Sequence, residues 1–600
     1  MAEKKIVPLR ADVKPELTWD LTLVFKTEQD FEHAFAKVKE KAADFQQYQG
    51  TLQTGAAALL QAVKSLLAID RQAEKVYVYA SMKNDQDTTD SYYHGLFSRV
   101  QALIAQISGQ CAWFKPEVLA LGSKKLATYY QAEPGLQEYR QFLADMMRFK
   151  EHTLEPAQEE LLASMSDILE TPANIFSVLD DADLQFEDVI DSNGSRVELT
   201  DSTYNQLIQS PDRSVRQQAF TKLYQVYHQF ARTFAQTLGS HVHIQNFDAQ
   251  TRNYANARQA ALNQNNIPET VYDSLVTAVH QHADLLQRYV ALRQRTLGLE
   301  DLAMYDLYTP LTGKPELSYS FENAKKIALQ ALAVLGKDYV EQVQEAFDNR
   351  YIDVIHNKGK RGGAYSGGAY DTPPYILLNW NDDLDSLYTL VHEMGHSMHS
   401  QFTKHNQPYQ YGDYSIFVAE IASTTNENLL TAYLLEHETD PQVRAYVLNY
   451  YLDGFKGTVY RQTQFAEFEQ WLHETDGLGQ PLTAEQMSAK YLQLNQQYYG
   501  KTVGKTPQIA DEWTRIPHFY YDFYVYQYAT GFAAATTLAN NILDDDPKHT
   551  ADYLNYLKAG SSDYPIEIMR RAGVDMTTEN YLESAFQVFE ERLTELEKLL

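Results

Sequence analysis

Apolar residues recur at steps of three and four along most of this 600-residue chain, with charged residues between them. This spacing places the apolar side chains on one face of an α-helix. It predicts helices over residues 31–45, 56–67, 92–107, 214–244, 271–297, 324–347, 384–402, 414–435 and 581–599. The pattern therefore predicts a mainly α-helical protein.

Residues 183–199 depart from the helical spacing. Apolar residues on either side of Asp191-Ser192-Asn193-Gly194 predict two short strands joined by a tight turn. We place a domain boundary just after this hairpin, near residue 200. An amino-terminal helical lobe is then expected over residues 1–200, and a second domain over residues 201–600.

A glycine-rich segment over residues 359–379 also interrupts the helical spacing. Its glycines alternate with tyrosines and precede the apolar run 375–378, which predicts a turn or flexible loop followed by a short strand. An exposed strand edge can bind an extended peptide through main-chain hydrogen bonds. Gly363, Ala364 and Tyr365 are therefore candidate substrate-binding residues. A plain connecting hairpin is the alternative.

The run His392-Glu393-Met394-Gly395-His396 lies in the helix predicted over residues 384–402. Helical residues four apart share a face, so both imidazoles can bind one metal ion while Glu393 stands beside it. This arrangement is typical of zinc hydrolases, in which the carboxylate acts as the general base. It makes residues 201–600 the predicted catalytic domain. An ordinary helix with two unrelated histidines is the alternative.

A catalytic zinc site of this kind needs a third protein ligand and keeps a fourth position for water. The helix predicted over residues 414–435 carries Glu420 and Glu427, which lie two turns apart on one face. We prefer Glu420 as the third ligand. Glu427 could accept the spare N–H of a ligating imidazole, and a solvated glutamate is its alternative role.

His399 is the alternative third ligand, because it follows His392 by seven residues and His396 by three and so shares their face. Three imidazoles from one continuous helix do not easily surround a tetrahedral ion, whose ligands must diverge. If it is not a ligand, His399 is expected behind the ligands or facing the substrate. A metzincin is excluded, since His399 and Phe402 stand where that class has glycine and histidine.

Several segments, spread over nearly the whole chain, carry a family resemblance. They are Trp19–Thr22, Arg361–Tyr365, Pro374–Asn379, His392–His399, Phe417–Thr424, Asn426-Glu427, Arg515–Tyr520 and Tyr524–Gly531. Together they resemble the thimet-oligopeptidase family of zinc metallopeptidases, and within it the bacterial oligoendopeptidase F group. The resemblance implies a two-lobed helical body, a small β-sheet beside the zinc helix and a deep channel that admits peptides and excludes folded proteins. It also implies one zinc ion per chain with Glu420 as third ligand.

A late run of histidine and tyrosine residues supplies candidate hydrogen-bond donors. Tyr521, Tyr524 and Tyr528 are spaced to share one face of a helix. The resemblance favours His518 and Tyr528 as catalytic donors to the oxyanion of peptide hydrolysis. Tyr521 is a further catalytic candidate, and Tyr524 a candidate substrate contact. Because the chain has 43 tyrosines, an ordinary packing role is the alternative for each one.

The charge balance narrows the choice of partners. The 51 basic and 80 acidic residues give a net charge of −29, which repels nucleic acids and anionic membranes. The single cysteine, Cys111, permits no intramolecular disulfide, and no apolar run is long enough to span a bilayer. We expect a soluble cytoplasmic protein that binds oligopeptides, with no nucleic-acid or membrane partner. The sequence leaves its oligomeric state open.

These features favour a zinc-dependent endopeptidase that hydrolyses internal bonds of short unfolded peptides, with Glu393 as general base to a zinc-activated water. The nearest alternative is an exopeptidase on the same fold, similar to a dipeptidyl carboxypeptidase. An aminopeptidase is disfavoured, because the chain lacks a Gly-x-Met-Glu-Asn segment. A non-catalytic peptide-binding protein with a structural metal is a further alternative, in which Glu393 would have no task.

Overall fold

The computed structural model describes residues 7–313, 317–500, 506–544 and 546–600. The helices of the first half are α1 Glu28–Asp44, α2 Ala56–Gln86, α3 Ser91–Cys111, α4 Phe114–Ala132, α5 Arg140–Arg148, α6 Pro156–Ser164, α7 Ser166–Leu169, α8 Thr171–Val178, α9 Asp201–Leu207, α10 Arg213–Thr251, α11 Ala257–Asn263, α12 Glu269–Gln281 and α13 Ala283–Thr296. Those of the second half are α14 Phe321–Ala331, α15 Lys337–Asp348, α16 Leu384–Asn406, α17 Ile416–His437, α18 Pro441–Phe455, α19 Arg461–Gly477, α20 Ala484–Tyr499, α21 Tyr526–Ile542, α22 Pro547–Leu557, α23 Pro565–Arg571 and α24 Asn580–Leu599. The predicted mainly helical fold is confirmed.

Two of the predicted helices are broken in the structure. The predicted helix over residues 271–297 is divided into α12 and α13 at His282, whose backbone is not helical. The predicted helix over residues 324–347 is divided into α14 and α15, and Gly336 between them has φ +89°. The apolar spacing continues across both interruptions, because the helix on each side of the break buries an apolar face.

Short strands form two small sheets in the described residues. In chain order they are β1 Val189–Ile190, β2 Arg196–Val197, β3 Ile352–Asp353, β4 Tyr365–Gly367 and β5 Tyr375–Leu377. β1 and β2 form the predicted hairpin, with Val189 opposite Val197. The second sheet has the order β3-β5-β4, in which β5 is parallel to β3 and antiparallel to β4. The glycine-rich segment therefore supplies β4 as well as the predicted strand β5.

The turn of the first hairpin has a clear chemical cause. The Asp191 carboxylate accepts hydrogen bonds from the backbone N–H groups of Asn193 and Ser195, at 2.9 and 2.8 Å. Gly194 has φ +80°, a conformation that costs glycine little. The hairpin predicted over residues 183–199 is thus confirmed, and its strands are shorter than predicted.

The chain forms two compact units, and each is assembled from three stretches of sequence. The first unit contains Met1–Glu151, Leu317–Tyr433 and Leu538–Gly573. The second contains His152–Glu316, Leu434–Thr537 and Val574–Leu600. These units interleave along the chain, so they divide it differently from the sequence domains 1–200 and 201–600, which stay a prediction.

No helix within the described ranges is long and apolar enough to cross a membrane.

In the first unit, α16 is a buried helix with a well-defined start. The Asp383 side chain accepts a hydrogen bond from the Ser386 N–H at 2.9 Å, which caps the helix. The predicted apolar stripe is buried throughout and comprises Leu384, Leu387, Val391, Met394, Met398 and Phe402. β4 lies against this helix, where the Ser366 and Ser397 hydroxyls are 2.8 Å apart. The small sheet expected beside the zinc helix is therefore present.

Helices α16 and α17 pack closely against each other at Gly395. A Cβ atom placed on Gly395 would stand 2.5 Å from Ser423 Cα and 2.8 Å from the Ala422 carbonyl oxygen. Both are backbone atoms, so they cannot rotate away as a side chain could. The absence of a side chain at this position is what allows the two helices to pack at this distance.

We predict that Gly395→Ala lowers the free energy of unfolding by about 1–3 kcal/mol, because the added methyl group forces the α16 and α17 backbones apart. Urea denaturation followed by circular dichroism measures the change. Gly95→Ala is the matched control, since Gly95 lies inside α3 of the same unit and a Cβ there meets nothing within 4 Å. Equal stability of Gly395→Ala and the unchanged protein would contradict the prediction.

Candidate metal centre

His392, His396 and Glu420 come together in the first unit. The Oε2 atom of Glu420 lies 3.3 Å from Nε2 of His392 and 3.3 Å from Nε2 of His396. The two imidazole rings are 4.9 Å apart at an interplanar angle of 77°, so their Nε2 atoms converge without stacking. α16 supplies both histidines through its i, i+4 spacing, and α17 supplies Glu420 through the crossing at Gly395.

The spacing of these three atoms fits a zinc ion. Ligand atoms that surround a tetrahedral zinc at about 2.0–2.2 Å stand about 3.3–3.6 Å from one another. Two imidazoles with one carboxylate are also a usual donor set of catalytic zinc. Elsewhere in the described residues, no group of three histidine, cysteine or acidic side chains brings its ligand atoms within 4.8 Å. His392, His396 and Glu420 are therefore the residues that would hold the ion.

Glu427 lies beside one of the ligands. Its Oε1 atom is 2.6 Å from Nδ1 of His392. A carboxylate there accepts the Nδ1–H proton and leaves the Nε2 lone pair directed at the ligand cluster. Burial opposes a charge on His392, but hydrogen bonds to Glu420 and Glu427 raise its pKa well above the ordinary value. The two carboxylates thus raise the proton affinity of the imidazole, and a metal ion bound at Nε2 would have to displace that proton.

Glu393 projects into a buried environment next to the ligands, with only 7% of its surface exposed. Burial raises the pKa of its carboxyl group, and the two ligating histidines partly oppose the rise. The backbone N–H of Ser366 in β4 also donates a hydrogen bond to this carboxylate. A carboxylate with a raised pKa accepts a proton more readily than an exposed one, which suits a general base.

Ser366 and Ser397 are site residues that no sequence pattern indicated. The hydroxyl of Ser397, one residue after His396, bonds to the hydroxyl of Ser366, and the main chain of Ser366 reaches Glu393. Together they fix β4 against the zinc helix. Ser397 lies within the resemblance segment His392–His399 and Ser366 directly follows Arg361–Tyr365, but neither segment indicated that the two serines would meet.

His399 lies outside the three-ligand cluster. It is 1% exposed, and its ring stacks on Tyr414 at 3.6 Å and 5°. A second aromatic neighbour is the Tyr556 ring, whose centroid lies 4.8 Å from that of His399. Burial, and to a lesser extent His396, lowers the pKa of His399 well below the ordinary value. The geometry of the cluster therefore supports Glu420 as the third ligand and leaves His399 packed among aromatic rings.

The candidate substrate-binding residues lie along the edge of the second sheet. Tyr365 is the first residue of β4, and its hydroxyl donates to Asp85 Oδ2 at 2.8 Å. The carbonyl oxygen of Gly363 accepts from the Asn379 amide at 2.7 Å. Ala364 lies between them. In this sheet β4 pairs only with β5 among the described strands, so its other side is an edge.

The four late aromatic residues group together in the second unit. The His518 ring is 5.4 Å from the Tyr521 ring and 5.9 Å from the Tyr528 ring. The Tyr524 ring is 6.4 Å from the Tyr521 ring and 5.3 Å from the Tyr528 ring. The Tyr528 hydroxyl lies 3.4 Å from Nε2 of His518. Burial, with a smaller effect of Arg461, lowers the pKa of His518, so this imidazole is neutral at neutral pH.

The prediction that the three tyrosines share one helix is wrong. α21 begins at Tyr526, so only Tyr528 is helical, and a non-helical segment precedes it. Asp522 and Phe523 in that segment have φ +51° and +55°, which is uncommon for residues with side chains.

Two side-chain contacts hold this turn. The Phe523 N–H donates to Glu469 Oε1 at 2.7 Å, and Asp522 Oδ1 lies 2.8 Å from His241 Nε2. The tyrosine rings therefore meet because of a fixed turn rather than a helical repeat.

Comparison with known proteins shows similarity over nearly the whole chain. A profile of peptidase family M3 matches residues 206–588, and one described as oligopeptidase F matches residues 117–186. The chain is 49% identical over 591 residues to the group B oligopeptidase PepB of Streptococcus agalactiae, covering 98% of both chains. It is 43% identical to the oligopeptidase PepF of Bacillus subtilis, covering 100% of this chain and 90% of that one.

A solved structure extends the likeness to the fold. The crystal structure of oligoendopeptidase-F from Enterococcus faecium superposes with a TM-score of 0.75 at 46% identity, covering 95% of this chain and 99% of that one. Profile, sequence identity and fold agree over nearly the whole length, and the converging histidines and glutamate lie inside the region matched by the M3 profile. The chain belongs to peptidase family M3, within its oligoendopeptidase F group.

Proposed function

We propose that the protein is a zinc-dependent endopeptidase that hydrolyses internal bonds of short unfolded oligopeptides, with one zinc ion per chain. The position of Glu420 Oε2, 3.3 Å from the Nε2 atoms of both histidines, carries the proposal. It creates an open-sided set of three ligands, as catalytic rather than structural zinc sites have. Relatives at 43–49% identity are named oligopeptidases, which supports short peptides as substrates.

Glu393 is the proposed general base. A bound zinc ion supplies Lewis acidity that polarises a carbonyl group and makes a water molecule more acidic. Glu393 takes the proton of the attacking water and later gives it to the leaving amine. Its burial and the Ser366 N–H hold the carboxylate in one orientation for both transfers. Glu427 keeps the His392 ring in the required tautomer.

The edge of β4 is the proposed binding surface for the peptide backbone. Extended peptides bind to a strand edge by main-chain hydrogen bonds, which do not depend on side-chain identity. Gly363, Ala364 and Tyr365 would present that edge. Tyr524 and His399 are further proposed substrate contacts, and the deep channel expected from the family resemblance belongs to the same proposal.

His518 and Tyr528 are the proposed donors to the developing oxyanion, with Tyr521 as a further donor. A neutral imidazole and a phenol each offer one proton for a hydrogen bond. The 3.4 Å separation of the Tyr528 hydroxyl and His518 Nε2 supports their action as a pair. Preorganised donors of this kind lower the barrier of acyl-transfer reactions.

We also propose a cytoplasmic location, with oligopeptides as partners and neither nucleic acid nor membrane among them. The net charge of −29 and the single cysteine support this.

Replacement of the general base tests the catalytic proposal. We predict that Glu393→Gln lowers the cleavage rate of an internally quenched peptide of about ten residues by about 10²–10⁴-fold while zinc remains bound. Activity, product masses and metal content are measured together. Glu341→Gln is the control, because Glu341 is an exposed glutamate on α15 of the same unit. Products released only from one end of the peptide would indicate an exopeptidase, and full activity of Glu393→Gln would exclude this base.

Metal content tests the ligand set. We predict that Glu420→Ala loses zinc during dialysis against a mild chelator, and that Glu427→Gln binds zinc about 10–100-fold more weakly because the His392 ring is no longer fixed. His405→Ala, an exposed histidine on the same helix α16, is expected to retain one zinc per chain. Retention of zinc by Glu420→Ala would favour a different third ligand, and His399→Ala then identifies whether His399 is that ligand.

Removal of one hydroxyl tests the donor pair. We predict that Tyr528→Phe lowers kcat by about 10²–10³-fold with little change in KM or zinc content, because the lost bond forms mainly in the transition state. Tyr92→Phe, an exposed tyrosine of the other unit, is the control. A change in KM alone would assign Tyr528 to substrate binding instead.

A further inference from the structure

We infer that a cavity between α2 and β4 is a subsite for an apolar side chain of the peptide. The inference rests on the proposed endopeptidase function and adds a side-chain preference to it. The cavity has a volume of about 290 Å³, and all the residues that line it belong to the first unit. An engineered apolar cavity of about 150 Å³ can hold a benzene molecule. This one therefore has room for a leucine or phenylalanine side chain.

One face of α2 forms the apolar wall of the cavity. Tyr77, Val78 and Met82 line it, and Ser81 lies on the same face of the helix. Tyr77 is 40% exposed, whereas Met82 is 3% exposed. The wall therefore leads from the surface of the first unit into its interior, where an apolar side chain gains free energy by leaving water.

Glycine residues form much of the opposite wall. Gly362, Gly367 and Gly368 line the cavity on this side, together with Ala364. A Cβ atom placed on Gly362 would meet nothing within 4 Å. The lack of large side chains on this wall leaves the volume open to a side chain from another molecule.

The charged groups of the cavity are already paired. Asp85 and Arg361 are the charged residues among those that line it, and Arg361 Nη1 lies 3.3 Å from Asp85 Oδ2. The Tyr365 hydroxyl donates to the same carboxylate oxygen at 2.8 Å. The lining therefore carries no net charge. A charged side chain would lose hydration there, whereas an apolar one needs no partner.

The cavity lies on one particular face of β4. The Ser366 side chain meets Ser397 of α16, and the Tyr365 side chain reaches Asp85 of α2. Successive side chains of a strand point to opposite faces of a sheet. One face of β4 is therefore directed towards the zinc helix and the other towards α2 and the cavity.

A peptide bound to the edge of β4 would share these two faces. It would continue the sheet, so its side chains would point alternately towards α16 and towards the cavity. The Ser366 N–H contacts the proposed base Glu393, and the next residue, Gly367, lines the cavity. At about 3.3 Å per residue, the side chain in the cavity belongs to a residue within about two positions of the cleaved bond.

A positional scan tests the subsite. Internally quenched ten-residue peptides carry leucine at successive positions, each paired with a peptide that has asparagine there, because these side chains are similar in size and differ in polarity. Mass spectrometry identifies the cleaved bond. For wild type we expect the kcat/KM ratio of leucine to asparagine peptides to reach about 10–100 at one position within about two residues of that bond, and to be lower at both neighbouring positions.

Two substitutions on α2 change the size of the cavity in opposite directions. Ser81→Leu fills part of it, so at the preferred position the kcat/KM ratio of leucine to alanine peptides falls by about 3–10-fold. Val78→Ala enlarges it, so the ratio of phenylalanine to leucine peptides rises by about 3–10-fold. Each ratio compares two peptides on one enzyme preparation, and a general loss of activity therefore cancels.

Ser65→Leu is the matched control. Ser65 is also a half-buried serine of α2, it does not line the cavity, and it lies about 24 Å from Ser81 along the helix axis. Its leucine-to-alanine ratio is expected to match that of wild type. An unchanged ratio in Ser81→Leu, or an equal fall in Ser65→Leu, overturns the subsite. Continued cleavage of internal bonds in these experiments leaves the endopeptidase function standing.

Binding measurements separate failure of the subsite from failure of the proposed function. If wild type cleaves none of the peptides, the Kd values of fluorescent leucine and asparagine peptides are measured for wild type and Ser81→Leu. Tighter binding of the leucine peptide that weakens in Ser81→Leu would retain the subsite in a peptide-binding protein. Equal Kd values for both peptides on wild type would overturn the subsite together with the endopeptidase function.

Discussion

The close crossing of α16 and α17 is the constraint on which the site depends. Both histidines come from one helix, so their spacing is set by the helical repeat. The proposed third ligand, Glu420, comes from the other helix, and its Oε2 atom lies 3.3 Å from both Nε2 atoms because the helices meet at a residue without a side chain. A single methyl group at Gly395 would move Glu420 and the two histidines apart together.

The small sheet contributes to the site out of proportion to its size. β4 is three residues long, yet its middle residue Ser366 bonds to Ser397 and to Glu393. Its outer edge is the proposed surface for the substrate backbone. One short strand thus contacts Glu393 and leaves a free edge in the sheet.

Buried charges at the site are each balanced by a specific neighbour. Burial raises the pKa of Glu393, and the ligating histidines limit that rise. Burial disfavours a charged His392, and the hydrogen-bonded carboxylates of Glu420 and Glu427 reverse the effect. Such compensation is required because an uncompensated charge in a low-dielectric interior is strongly destabilising. It also gives the side chains of His392, Glu393 and Glu420 a defined orientation.

The sequence by itself determined the helical class, the hairpin near residue 190 and the helix that carries His392 and His396. Each depends on local periodicity, since residues three or four apart on a helix must share a face and a tight turn needs only adjacent residues. The breaks at His282 and Gly336, the contact of Ser366 with Glu393 and the left-handed turn at Asp522-Phe523 were decided by tertiary structure. They depend on contacts between segments far apart in the chain, such as Glu469 with Phe523, and no local window of sequence contains both partners.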